Sequence, residues 1–103
     1  MSNYKLLDIR ESEEPKKNYK FIATLYNEDT DKVNKIKFGD KRYEHFTEGH
    51  LNMKRRENYR NRHISKENWG KSGRDTKGYW SWNLLWRFPT YKEAIKHICK
   101  DFE

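Results

Sequence analysis

The chain has 103 residues, enough for one domain over residues 1–103. With 38% charged residues, 33% hydrophobic residues and a net charge of +7, it excludes a large aliphatic core, and no window approaches the roughly 20 apolar residues of a membrane span. Disorder is argued against by 16 Phe, Trp and Tyr residues, each able to bury roughly 150–250 Å² in a small core.

Tyr4 to Arg10 reads as a strand, with Leu7 and Ile9 alternating against Asp8 and Arg10. The run ESEEPKKN is a charged loop in which Pro15 would block a ladder. Tyr19 to Tyr26 reads as the clearest strand. Tyr19, Phe21, Ala23 and Leu25 share one face and Ile22 and Tyr26 the other, a pattern that suggests cover on both sides. A polar turn over Asn27–Asp31 leads to a third strand, Val33 to Phe38. Short links between three strands predict an antiparallel meander.

Helical patterns begin after Gly39-Asp40. One turn is expected over Tyr43–Phe46, and a helix over Asn52–His63 that is polar nearly all round, with Tyr59 as its large anchor. Residues 64–76 read as a loop, with Trp69 as a plug. Thr76 is placed to cap a helix running through Arg87. Tyr79, Trp82 and Trp86 lie on one face of it and Trp80, Leu84 and Phe88 on another, so it should be buried. Thr90 and Glu93 form a capping box for the last helix. Tyr91, Ala94, Ile95, Ile98 and Phe102 make its apolar stripe, which is expected to be buried. The fold class is α+β: an N-terminal three-stranded antiparallel sheet, then three or four short helices, the C-terminal one packed on the sheet.

Charge is concentrated. Between Lys54 and Lys77 stand nine Lys or Arg and three acids, which is six of the seven net charges. Arg56 and Arg60 share one helix face, and Arg55 and Arg62 another. Lys54 opens the run, and Lys66, Lys71, Arg74 and Lys77 extend it along the loop. Guanidinium groups match phosphates in bidentate fashion. The same charges also suit a solvated face, or one that docks on an acidic protein.

All four tryptophans follow or interrupt this run. Trp80, Trp82 and Trp86 have core spacing, whereas Trp69, in a basic loop with glycines, is the best placed to stack on a base. His45, His50, His63, His97 and Cys99 are the soft ligands available, without the spacing of a zinc site. His45 and His63 with Glu44, Glu48 and Glu67 are the candidates for a catalytic set, and their spacing matches no hydrolytic pattern. No enzyme activity, cofactor, metal or small-molecule substrate is expected.

A single cysteine suits a reducing compartment, and MSNYKLLDIRESEE lacks a hydrophobic signal core. A setting inside a cell or particle, not secretion, is expected. A pI near 9.5 favours acidic partners.

Five pieces carry a resemblance: FGDKRYEHFT at 38–47, KRRENYRNRH at 54–63, NW at 68–69, TKGYWSWNLLW at 76–86 and PTYKEAI at 89–95. In this order they resemble a family of small proteins encoded by large nucleocytoplasmic DNA viruses, the giant and algal viruses. Arg87-Phe88-Pro89 stands where that family usually carries Asn-Lys-Pro. The resemblance implies a viral protein in a virion or host-cell setting, and it brings no catalytic or ligand residues. Two functions follow as expectations. One is phosphate-mediated binding of nucleic acid, DNA foremost, through Lys54, Arg55, Arg56, Arg60, Arg62, Lys66, Trp69, Lys71, Arg74 and Lys77. The other is a minor capsid or cement protein docking on acidic viral capsid proteins.

Overall fold

Alternating side chains in the first forty residues produce three strands in the computed structural model, which describes residues 3–11, 18–40 and 45–103. These are β1 (Tyr4–Glu11), β2 (Tyr19–Asn27) and β3 (Lys32–Asp40). They form one antiparallel sheet in the order β1-β2-β3. The turn between β2 and β3 is built by Asn27, whose Oδ1 accepts from the backbone N–H groups of Asp29 and Thr30. Asp31 completes it in the left-handed region at φ 58°, which Asp tolerates better than most residues.

β1 departs from simple alternation. Leu6 pairs with Leu25 and Asp8 with Thr24, so Leu7 is an extra, bulged residue. The bulge turns Leu7 out to 54% exposure and puts Leu6 and Ile9 against the core. The expected Leu7–Ile9 pairing on one face is therefore corrected to Leu6–Ile9. In β2, Phe21, Ala23 and Leu25 face the core, but Tyr19 does not join them: Lys37 Nζ lies 5.5 Å from its ring centroid. Ile22 and Tyr26, on the opposite face, are only half-buried, set in register beside Lys37 and Val33.

Three helices follow, α1 (Met53–His63), α2 (Lys77–Trp80) and α3 (Tyr91–Asp101). A wider π turn over Phe46–His50 precedes α1. The expected turn at Tyr43 and Glu44 falls outside the described residues. α2 continues without a break into a π segment, Ser81–Trp86, so the long tryptophan helix exists but widens halfway. Thr76 caps it, its Oγ1 accepting from Tyr79 N at 3.3 Å.

The core explains the aromatic composition. Ala23, Leu25, Ile36 and Phe38 from the sheet pack with Tyr79, Trp80, Trp82, Leu84, Leu85 and Trp86, and with Ala94 and Ile98 of α3. Phe38 and Trp80 meet at 5.8 Å between centroids. Gly39 allows the close approach: its φ is +83°, and a Cβ there would sit 2.9 Å from Leu85 Cδ1.

α3 lies mainly against the π segment and reaches the sheet through Tyr91 on Phe21, at 5.9 Å. Its stripe is rotated from the one expected. Ala94 and Ile98 are fully buried, but Ile95 is 40% exposed. Polar anchors on the other flank cause the rotation. Tyr79 Oη donates to Asp101 Oδ2 at 2.6 Å, Arg74 Nη1 to the Asp101 carbonyl at 2.8 Å, and Arg87 Nη1 to His97 Nε2 at 3.0 Å.

Candidate anion-binding cleft

α1 buries no residue completely, so a few contacts decide how it sits. Asn52 starts it by accepting from the N–H groups of Lys54 and Arg55. Tyr59 docks it: its ring stacks on Trp86 at 4.5 Å and 9°. Arg56 fixes it beside Tyr59. Its Nε donates to the carbonyls of Trp86 and Arg87 at 3.1 and 3.2 Å, and its Nη2 to that of Arg87 at 3.0 Å. The guanidinium carbon also lies 5.0 Å from the Trp82 ring centroid.

This docking divides the basic run. At roughly 100° per residue, Arg55, Asn58 and Arg62 fall on one flank of the Tyr59 face and Arg60 on the other. Lys54 points to solvent. Arg55 and Arg62 share a cleft with Lys66, just past the helix end. The cleft holds about 900 Å³ and has three walls. α1 supplies Arg55, Asn58, Tyr59, Arg62 and His63, the end of β3 supplies Gly39 and Asp40, with His45 beyond it, and the π segment supplies Ser81 and Trp86.

Three residues of the predicted surface are committed to the fold instead. Arg56 serves the carbonyl end of the π segment, where backbone acceptors need donors. Arg74 is 6% exposed, with Nε on the Lys71 carbonyl at 2.8 Å, Nη1 on the Asp101 carbonyl, and Tyr4 and Phe102 rings around its guanidinium. Trp69 stacks on Trp82 at 4.3 Å and donates to Glu67 Oε1 at 3.0 Å, so one ring face is already used by the protein. Lys71 and Lys77 are exposed but do not line the cleft.

The polar groups around the cleft are oriented. Lys20 Nζ donates to His45 Nδ1 at 2.8 Å. An ammonium only donates, so the His45 ring N–H sits on Nε2. Burial raises the Tyr59 hydroxyl well above the usual phenol range, and Glu67 adds to this against a hydrogen bond with Ser81. Tyr59 thus remains a neutral donor. His63 stacks on Tyr59 at 4.2 Å and lies 3.4 Å from Glu67 Oε2. Among the described residues, no ion pair holds Arg62 or Lys66.

Of the catalytic candidates in the sequence, His45 and His63 both line the cleft, and Glu67 is shared by His63 and Trp69. Glu44 and the side chains of Glu48 and His50 lie outside the described residues. His97 is engaged with Arg87 and Asp101, and Cys99 is exposed. Among the described residues, no three His, Cys, Asp or Glu side chains converge as a metal set, and no helix is long and apolar enough to cross a membrane. Sequence reasoning missed Asp40, Asn58, Ser81 and Trp86 as cleft residues. Only the i,i+7 spacing of Arg55 and Arg62 signalled a shared wall.

A model of the family of unknown function DUF5754 matches residues 8–63, more than half of the chain. The chain belongs to DUF5754. The DUF5754 stretch runs from within β1 to the end of α1 and so includes the cleft residues from Gly39 to His63, whereas Lys66, Ser81 and Trp86 lie beyond it. No curated protein and no solved structure matches this chain.

Proposed function

We propose that this protein is a small basic binding protein, not an enzyme, that grips nucleic acid by its phosphates. The observation that carries the reading is the convergence of Arg55, Arg62 and Lys66 on one cleft wall. Lys54, Arg60, Lys71 and Lys77 lie outside the cleft and add to the net positive charge of the Lys54–Lys77 stretch. Phosphate binding releases condensed counterions and fixes the partner with little base discrimination. DNA is the leading partner. The resemblance to proteins of large DNA viruses supports a place in a virion or an infected cell.

The test replaces Arg55, Arg62 and Lys66 together by Gln, leaving Arg56 and Arg74 in place. Binding to DNA should weaken almost equally across sequences. The log–log salt slope should become shallower by up to about 0.9 for each phosphate that the variant no longer neutralises. Unchanged affinity in the folded triple variant would remove this reading. Loss of particle incorporation with unchanged DNA affinity would favour a capsid or cement protein docking on acidic viral surfaces.

A further inference from the structure

We infer that the cleft takes a phosphomonoester joined to a nucleoside, either as a free nucleotide or as the phosphorylated end of an unpaired strand. This rests on the phosphate-binding reading and narrows it to a ligand class.

Shape is the first argument. The volume of about 900 Å³ falls within the roughly 300–1,000 Å³ of small-ligand pockets. Walls from α1, the β3 end and the π segment make a recess rather than a flat basic face. Duplex phosphates lie on a convex cylinder, which meets a recess only at its rim. An unpaired nucleotide or a strand end can enter it, as single-strand readers require.

Charge is the second. Three cations share one side of the recess, with Asp40 the single acid among the described lining residues and Glu67 held against His63. A phosphomonoester carries about −1.5 to −2 near neutral pH and offers three acceptor oxygens, more than a bridging diester does. Arg55 and Arg62, two turns apart on one helix face, with Lys66 following, suit such a group.

The aromatic wall is the third. His63 lies on Tyr59 at 4.2 Å, and Tyr59 on Trp86 at 4.5 Å. His63 ends this column with its side chain 35% exposed, so a base can extend the stack there. Asn58, Asp40 and Ser81 supply donors and acceptors for a base edge or a sugar hydroxyl. Basic groups with an aromatic column inside one recess match both halves of a nucleotide.

The experiment titrates the full chain, at one salt concentration, with a short oligothymidylate bearing or lacking a terminal phosphate, and with thymidine monophosphate. Wild type is compared with Arg62→Gln in the cleft and Arg60→Gln on the opposite flank. The terminal phosphate should tighten strand binding by about tenfold or more. That gain should vanish in Arg62→Gln and persist in Arg60→Gln, and NMR signals of the His63 ring and the Trp86 indole should shift. Lys66→Gln carries the same expectation should Arg62→Gln fail to fold. Equal affinity with and without the terminal phosphate overturns the inference while leaving phosphate binding intact. A gain that survives in both cleft variants overturns it too. Binding of thymidine monophosphate at these signals, without strand binding, supports the cleft assignment and removes the strand-binding reading. Binding of neither overturns both.

Discussion

The guanidinium of Arg56 closes the carbonyl end of the segment that carries Trp82 and Trp86, with three hydrogen bonds to the carbonyls of Trp86 and Arg87. Its neighbour Arg55 lines the cleft on the other flank of the same helix face. Adjacent arginines in a basic run thus meet different surroundings.

That difference is measurable. Arg56→Gln should destabilise the fold by about 1.5–3 kcal/mol, the range for hydrogen bonds to charged groups. In a domain of this size each kcal/mol lowers Tm by roughly 4–8 °C. Arg62→Gln, on the cleft flank and held by no ion pair among the described residues, should leave Tm nearly unchanged. Equal Tm values for both variants, read by thermal circular dichroism, would deny Arg56 its structural role.

α3 offers a second contrast. Ile95→Asp should be tolerated at a cost of roughly 1 kcal/mol or less, because Ile95 is 40% exposed. Ile98→Asp should prevent folding, since it puts an unpaired charge in the fully buried site. Ile98→Ala should cost about 2–5 kcal/mol. Urea midpoints would show the order. An Ile95→Asp variant as unstable as Ile98→Ala would return Ile95 to the core.

His97 makes stability depend on pH in a definite direction. Burial lowers its pKa, and the Arg87 guanidinium lowers it further, against a raising effect of Asp101. Arg87 donates to Nε2, the site an incoming proton would occupy. As pH falls below about 6.5, the unfolded chain takes up the proton first. The contribution is therefore present above the unfolded value and is lost as pH falls toward the lower folded value. His97→Gln should flatten this limb of the urea midpoint against pH. An unchanged limb in that variant would assign the effect to other groups.

Gly39 sits at the cleft and against the core. Gly39→Ala should cost roughly 1–3 kcal/mol for a side chain at positive φ, added to the approach of 2.9 Å to Leu85 Cδ1. Thermal unfolding tests it, and a variant as stable as wild type would mean that the β3 end relaxes without penalty.

Much of the fold was legible in the residues. Two-residue alternation marked β2 and β3, Thr76 and Thr90 marked helix starts, and all-round apolarity marked Tyr79–Trp86 as buried. Each signal lies within a few residues of its effect. The bulge at Leu7 was not legible, because an extra residue in β1 shows only against the register of β2. The rotation of α3 was hidden for a similar reason: Tyr79, Arg74 and Arg87 pull on Asp101 and His97 from distant parts of the chain.

The sequence by itself determined the α+β order of elements, the aromatic core and the amount of positive charge between Lys54 and Lys77. Only the tertiary structure decided where that charge is presented. Arg56 and Arg74 find backbone carbonyls and aromatic rings supplied by remote segments, whereas Arg55, Arg62 and Lys66 meet Asp40, His45 and Trp86 across an open cleft. Charge is a property of the residue, but whether a guanidinium caps a carbonyl or faces a ligand depends on what the fold brings opposite it.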